Sequence, residues 1–282
     1  GYFDVLNNVV LTIDGVIADR SLNVDGTTTP ANTGAVNKTS PGTLVVNGNN
    51  TYSGLTTISN GILRVGSNTA LGSTAGGTIV GTAAHVELAD GIVVTGETIT
   101  LSGGNGVTQP GSPDANRGGL QAAVNATAEW AGDVILGAAS ARIGVQEGGN
   151  LLVSGNISDG GSNFNLRLTG DLSGTGGLTL SGANTWGGTT EIVRGTVYLG
   201  ADDTLPTSTT LDIHFVSSNN AEYAGLNMNG FNQTIGALRN NGNSLDKAEL
   251  TNTSCILSTL TLNQDVNTTY NGIVTGHLAL VK

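Results

Sequence analysis

GGLTLSGANTWGGTTEIVRGTVYLGADDTLP, at residues 176–206, has an earlier counterpart in the same chain. The counterpart is GTLVVNGNNTYSGLTTISNGILRVGSNTALG at residues 42–72, and the two segments align end to end without a gap. Eleven of the 31 aligned positions are identical, and others keep their character, as where Tyr52 aligns with Trp186. Such self-similarity is the sequence signature of a repeat architecture.

Inside the segment, aliphatic and polar residues alternate over short runs that end in glycine. Leu178 and Leu180 alternate with Thr179 and Ser181 before Gly182, which is the period of a β-strand with one aliphatic face. A strand this short cannot cover that face alone, whereas a stack of similar rungs can. The unit "apolar, any, apolar, small polar, Gly" occurs at nine places, namely 11–15, 22–26, 44–48, 92–96, 99–103, 151–155, 166–170, 178–182 and 226–230.

These patterns predict an all-β chain folded as a parallel β-helix, or β-solenoid, with coils of about 20 to 25 residues. No stretch of a dozen residues without glycine repeats its apolar residues with the 3.6-residue period of a helix, so no helix is expected. No linker is long enough to divide the chain. We therefore predict one β-solenoid rod over 1–282, with two internal long repeats at about 38–171 and 172–282.

The composition excludes several classes of protein. Hydrophobic residues make up 38% of the chain and charged residues only 11%, the reverse of the balance found in disordered chains. The net charge of -11 argues against nucleic acid as a partner. No apolar run approaches the ~20 residues of a membrane span. A chain that starts at Gly1 fits a mature product or an internal fragment.

The sequence offers no catalytic, cofactor-binding or metal-binding residues that we can single out. The three histidines, His85, His214 and His277, are far apart and lack metal-ligand spacing. The nearest pair of carboxylates, Asp202 and Asp203, is interpreted as a solvated turn, because the first copy has uncharged residues there. Carboxylates on neighbouring coils can still converge, so a polysaccharide-cleaving site remains an open alternative.

Three further features invite interpretation. Cys255 precedes Ile256 in a Thr/Asn-rich run, and we expect a small buried hydrophobe there. Trp130 lies in a strand-like context, where a partly buried rung position is expected. Residues 104–119 contain two prolines and five glycines, so they predict a loop that leaves the solenoid, either inert or used for binding.

The segments LSGANTWGGTTEIVRGTVYLG (180–200) and VNGNNTYSGLTTISNGILRVG (46–66) resemble the autotransporter-associated passenger β-strand repeat of bacterial type V autotransporters and other large bacterial surface proteins. The neighbouring GDLSGTGGLTLSG (170–182) and LNMNGFNQTIGALRNNG (226–242) resemble its usual flanks. The resemblance implies a right-handed parallel β-helix, export, and an extracellular location at the bacterial cell surface. It implies nothing about catalysis.

Within the two copies we expect structural roles for twelve residues. The asparagines should occupy turns by adopting the left-handed region and bonding their own backbone, the aromatic residues should cap the apolar interior at a corner, and the glycines should permit positive φ or close rung contact. The twelve are Asn50, Thr51, Tyr52, Gly54, Gly61, Gly66, Asn184, Thr185, Trp186, Gly188, Gly195 and Gly200.

The predicted function is that of a non-enzymatic, exported structural protein without cofactors. Its coils would stack end to end on other copies as an extracellular fibre, or on flanking repeats of a longer stalk. The alternative is an adhesin or carbohydrate-binding autotransporter passenger whose partners are surface glycans. A polysaccharide-cleaving β-helix enzyme is the third hypothesis.

Overall fold

The computed structural model describes residues 1–22, 28–103, 106, 117–214, 223–241 and 247–282. Within them the regular structure consists of β-strands, and no helix occurs. The strands are β1 (Tyr2–Phe3), β2 (Val10–Ile13), β3 (Arg20–Leu22), β4 (Thr28–Asn32), β5 (Val36–Lys38), β6 (Thr43–Val46), β7 (Thr56–Val65), β8 (Thr78–Leu88), β9 (Val93–Val94), β10 (Ile99–Leu101), β11 (Leu120–Ala122), β12 (Thr127–Trp130), β13 (Val134–Leu136), β14 (Ala141–Val145), β15 (Asn150–Val153), β16 (Ile157–Ser158), β17 (Leu166–Thr169), β18 (Gly177–Leu180), β19 (Thr190–Leu199), β20 (Thr210–Ile213), β21 (Ala224–Asn227), β22 (Gln233–Ile235), β23 (Ala237–Arg239), β24 (Ala248–Asn252), β25 (Ser258–Leu262), β26 (Ile273–Gly276) and β27 (Leu278–Val281).

Apart from β3 and β4, the strands stack in parallel columns, and each strand pairs with the equivalent strand one coil later. The first column runs β1, β5, β7, β8, β10, β13 and β16. The second runs β2, β6, β7, β8, β11, β14, β17, β19, β20 and β23. The third runs β9, β12, β15, β18, β19, β21, β24 and β26, and β22, β25 and β27 form a further parallel set. The predicted parallel β-helix is confirmed.

The nine short units behave as predicted with one exception. Eight of them supply strands of the parallel columns. The unit at 22–26 does not, because Leu22 belongs to β3, which pairs antiparallel with β4. The remaining residues of that unit lie outside the described residues.

Coil lengths vary around and somewhat above the predicted spacing, and two coils are much longer. The coil that starts at Ile58 returns to the same column at Val80, close to the predicted spacing. The coil from Leu11 to its partner Leu44 is longer, because it contains the β3–β4 hairpin. The coil from Leu101 to its partner Leu136 is longer as well, because it contains the 104–119 segment.

Alternation along each strand builds the core. Leu178, Leu180, Val197 and Leu199 are fully buried, whereas Thr179 between the first two is only half-buried. Each fully buried aliphatic side chain stabilises the fold by about 1.5 to 3 kcal/mol. The buried cluster contains residues from Val5 to Leu260, so the coils share an aliphatic interior.

Trp130 lies in β12 and is fully buried, more deeply than expected. Its indole nitrogen has no hydrogen-bond partner among the residues that the structure describes, which is an unfavourable arrangement for a buried donor. The large ring contributes apolar volume to the core.

Candidate functional site

The corner of the first repeat is organised by the buried side chain of Asn50. Its Oδ1 accepts the backbone N–H of Ile17 at 2.7 Å, and its Nδ2 donates to the carbonyl oxygen of Ala70 at 2.6 Å. Ile17 belongs to the coil before Asn50 and Ala70 to the coil after it. One amide therefore connects three successive coils and satisfies two backbone groups that would otherwise be unpaired.

Asn184 makes the same contacts in the second repeat. Its Oδ1 accepts the N–H of Ile157 at 2.7 Å, and its Nδ2 donates to the carbonyl oxygen of Thr204 at 2.8 Å. The expected local mechanism is wrong, because neither Asn50 nor Asn184 has positive φ and both side chains bond neighbouring coils. The asparagines bridge between coils and do not shape a turn by bonding their own backbone.

A carboxylate of the preceding coil completes each corner. Asp19 accepts the backbone N–H of Ser53 at 3.0 Å and its hydroxyl at 2.6 Å. Asp159 accepts the N–H of Gly187 at 3.0 Å, and Gly187 is the residue aligned with Ser53. The hydrogen bonds from the Ser53 side chain and backbone lower the pKa of Asp19, so the acceptor is the carboxylate at neutral pH.

These two aspartates did not stand out in the sequence. They end the tripeptides Ile-Ala-Asp at 17–19 and Ile-Ser-Asp at 157–159. The tripeptides lie further apart than the two repeats do, so a gap-free comparison cannot place them together. An Ile-x-Asp search one coil before each Asn-Thr pair would have found them. We call each assembly a corner clip, consisting of Ile17, Asp19, Asn50 and Ser53 in the first repeat and of Ile157, Asp159, Asn184 and Gly187 in the second.

The aromatic residues of the two repeats anchor chains of hydroxyl groups. The Tyr52 hydroxyl lies 2.6 Å from Thr56 Oγ1, and Trp186 Nε1 donates to Thr190 Oγ1 at 3.1 Å. Thr190 Oγ1 in turn lies 2.9 Å from Thr209 Oγ1. Both rings are buried, and each polar tip is satisfied one short step along the chain, as buried tyrosine and tryptophan require.

In the first repeat the same region contains a buried carboxyl group. Thr56 is in register with Thr78, and Thr78 Oγ1 lies 2.7 Å from Glu97 Oε1. Glu97 Oε2 is buried without a partner among the described residues, and burial raises the pKa of this carboxyl group. Burial also raises the pKa of Tyr52 to about 12, so both groups favour their neutral forms.

Four of the predicted glycines permit conformations or contacts that a side chain would prevent. Gly61 and Gly195 have φ of +81° and +61°. A Cβ on Gly54 would lie 2.4 Å from a carbonyl oxygen of the preceding coil, and one on Gly188 would lie 2.5 Å from the equivalent oxygen. Both distances are too short for real atoms, so the backbones approach closely only because these positions are glycine.

The remaining motif residues extend the inter-coil hydrogen bonding through their backbones. The N–H groups of Thr51 and Thr185 donate to the carbonyl oxygen of the clip isoleucine at 2.9 and 2.8 Å. The N–H groups of Gly66 and Gly200 donate to the coil before them at 2.9 and 2.7 Å. Apart from Trp186, whose hydrogen bond stays within its own coil, the predicted positions lie at hydrogen bonds or close contacts between coils.

A family model described as the passenger-associated-transport-repeat matches residues 36–65 and 172–199. Two segments of this chain therefore match the passenger-associated-transport repeat, and we call them the transport repeats. The matched ranges include both asparagines, both aromatic residues and the glycines that approach the preceding coil, which confirms the resemblance seen in the sequence. Searches of the curated proteins and of the solved structures found no match.

Cys255 lies outside the transport repeats, and its expected burial is wrong. Its side chain is exposed, as are those of Ile256 and Leu257. The reason is Asn252, which accepts the N–H of Ser254 at 3.1 Å and donates to the carbonyl oxygen of Ile256 at 2.7 Å. These bonds fold the run into a turn, which directs the thiol away from the core.

The proposed binding loop at 104–119 falls largely outside the described residues, which in this segment are 106 and 117–119. Arg117, near its end, is buried and donates to the carbonyl oxygen of Gly170 at 3.1 Å.

The carboxylates considered for catalysis have structural partners. Asp202 and Asp203 are exposed, and they accept backbone N–H groups of Asn232 and Thr234 in the next coil at 2.7 and 2.6 Å. In the part of the chain that the structure describes, no group of three His, Cys, Asp or Glu side chains could hold a metal ion. Among the same residues there is no helix long and apolar enough to cross a membrane.

Proposed function

We propose that this chain contributes a rigid structural rod to an exported autotransporter passenger displayed at the bacterial cell surface. The observation that supports this most directly is the equivalence of the two corner clips. Among the identical residues of the two transport repeats, the asparagines and glycines hold one coil to the next, and Thr51 and Thr185 contact the preceding coil through their backbones. Because the same contacts recur in both copies, we infer that the repeat serves the stacking of coils.

The surface location rests on the transport repeats and is tested on intact cells of the source organism. An antibody raised against the folded chain should label intact cells, and external trypsin should remove the label. Labelling that appears only after the cells are permeabilised would contradict display at the surface.

We propose further that the rod is not an enzyme. Glu191 and Asp212 are carboxylates in register on adjacent rungs of one face. Burial acts to raise the pKa of Asp212, but hydrogen bonds from His214 and Arg239 outweigh it and lower the pKa. An acid catalyst of glycoside cleavage needs a raised pKa, so Asp212 does not suit that role. Incubation with a panel of plant and bacterial polysaccharides should release no reducing ends and no unsaturated products.

The first and the last described coils expose apolar strand positions whose partners in the neighbouring coil are buried. Leu11 is 42% exposed, whereas Leu44, its partner one coil inward, is fully buried. At the other edge Val274 is 41% exposed, whereas its partner Leu250 is fully buried. Exposed apolar strand edges favour pairing with a further strand.

We therefore propose that another parallel coil covers each edge, supplied by a second copy or by flanking repeats of a longer passenger. Electron microscopy of the purified chain at several concentrations distinguishes the two. End-to-end filaments that lengthen with concentration support the second copy, and single short rods at every concentration contradict it.

A further inference from the structure

The arginines of this chain are concentrated on the second column of strands. Five of the seven arginines of the sequence lie on strands of that column, and only three carboxylates accompany them on those strands. The rest of the chain carries five cations and 18 carboxylates. The second column is therefore a basic face on an otherwise acidic molecule. Its five arginines are Arg64, Arg142, Arg167, Arg194 and Arg239.

Five charged side chains form a line on successive rungs of this column. We call this line the charged stripe, and it consists of Arg142, Arg167, Glu191, Asp212 and Arg239, each in register with the next. Each lies at an outward position of its strand, because the strand neighbours are core residues. Rungs of a sheet are about 4.8 Å apart, so Arg167 and Arg239, three rungs apart, are separated by roughly 14 Å along the axis.

Two of the arginines are oriented by carboxylates and have donors to spare. Arg167 Nε lies 2.5 Å from Glu191 Oε2, and Arg239 Nε lies 2.7 Å from Asp212 Oδ2. The arginine side chains are 32% and 35% exposed, whereas the carboxylates are 12% and 3% exposed. No described residue accepts a hydrogen bond from the terminal nitrogens of either guanidinium group. Each side chain is thus fixed through Nε while its terminal nitrogens can bind another group.

The end of the charged stripe that contains Arg142 and Arg167 has an excess of positive charge. Arg142 and Arg167 occupy adjacent rungs, and Glu191 is the carboxylate next to them. Burial, together with the charge of Arg167, lowers the pKa of Arg142 to about 10. An anionic group bound here would reduce the repulsion between the two guanidinium groups.

We propose that the charged stripe binds a linear acidic polysaccharide, with its carboxylate or sulfate groups on the terminal nitrogens of Arg167 and Arg239. Guanidinium groups bind such planar or tetrahedral oxyanions with paired hydrogen bonds. A straight column of rungs presents its arginines along a line, which suits a linear polymer with spaced charges. Single-stranded nucleic acid is bound through aromatic stacking as well as charge, and the charged stripe contains no aromatic residue, so nucleic acid fits this face less well.

The test is calorimetric titration of the full chain with hexagalacturonate, a heparin hexasaccharide, maltohexaose and a 12-nucleotide single-stranded DNA. At low salt we expect one or both acidic sugars to bind, and maltohexaose and DNA not to bind. The two acidic sugars distinguish carboxylate from sulfate recognition. Absence of binding by both acidic sugars, or DNA binding as tight as theirs, would overturn the proposal.

Variants locate the site. R167Q/R239Q should weaken binding about tenfold or more, since each arginine supplies charge-assisted hydrogen bonds. K247Q/K282Q removes the same charge away from the stripe and should change affinity less than about twofold. If R167Q/R239Q unfolds, R167K/R239K keeps both charges and should still weaken binding, because lysine lacks the planar fork. Equal affinity for the stripe variant and its control would refute the assignment.

Discussion

The side-chain oxygen of Asn184 accepts the backbone N–H of Ile157 at 2.7 Å, and the same bond at the same length joins Asn50 to Ile17. The two pairs bridge coils of different length, since the partners are 27 positions apart in one case and 33 in the other. The contact is therefore preserved although the connecting chain is not. The corner contact is thus a property of the transport repeat itself and does not depend on the length of the coil that precedes it.

Replacing Asn184 by alanine should strongly destabilise the fold. The change leaves a buried N–H and a buried C=O without partners, each costing about 1 to 3 kcal/mol, so urea unfolding should move to clearly lower concentration. The control is Asn49→Ala, since Asn49 is exposed and bonds Thr69 Oγ1 at 3.1 Å; it should cost less than about 0.5 kcal/mol. Similar unfolding midpoints for the two variants would remove the corner clip as a determinant of stability.

Asp159 should make the fold sensitive to acid. Burial acts to raise its pKa, but N–H groups of Gly187, Phe164 and Gly161 outweigh it and lower the pKa. A carboxyl group with a depressed folded-state pKa contributes stability above its unfolded pKa of about 3.9, and that contribution is lost as pH falls through the folded value. Asp159→Asn should therefore destabilise at pH 7 and reduce the loss of stability between pH 5 and pH 2. Parallel pH profiles of melting temperature for the variant and the parent chain would contradict this.

Glu97 should have the opposite pH dependence. Burial raises its pKa, so the folded state retains the proton more strongly than the unfolded chain does. The stabilising contribution of the protonated form is complete below the unfolded pKa of about 4.3 and is lost as pH rises through the folded value.

Glu97→Gln keeps the volume and removes the titration, so it should raise the melting temperature at pH 8 relative to the parent chain, with a smaller or no gain at pH 4. Glu147→Gln, at an exposed position, serves as the control and should change little at either pH. If the Glu97→Gln chain melted at a lower temperature than the parent chain at pH 8, the buried carboxyl group would not destabilise the fold at that pH.

The strands could be predicted because their signal is local. A period of two ending in glycine identified eight parallel strands, and the internal repeat identified the corners. The charged stripe could not be predicted, because Arg167 and Arg239 are distant in the sequence and only the lengths of the intervening coils bring them onto one line. The environment of Cys255 was predicted wrongly for a related reason, since the turn made by Asn252 depends on hydrogen bonds that the alternation of apolar residues does not encode.

Cys255 gives a direct check of that correction. An exposed thiol should react completely with a thiol-specific reagent such as DTNB in the native protein, at a rate close to that in urea. Cys255→Ser should change the unfolding free energy by less than about 0.5 kcal/mol, because no core contact is lost. A thiol that reacts only after unfolding would restore the buried assignment.

A substitution at Gly195 tests whether the close contact between coils limits which side chains the transport repeat accepts. Positive φ alone would already disfavour a side chain there. Its φ is +61°, and an added Cβ would lie 2.4 Å from the carbonyl carbon of Gly170 in the preceding coil. Gly174 also has positive φ, +73°, but an added Cβ there would meet nothing within 4 Å. Gly174→Ala should therefore cost only the conformational strain of about 1 to 2 kcal/mol. Gly195→Ala adds a clash with backbone that cannot rotate away, so its urea midpoint should be much lower or the chain should fail to fold. Equal losses of stability in the two variants would mean that contact between the coils adds nothing to the cost of the substitution at Gly195, which would contradict the packing described above.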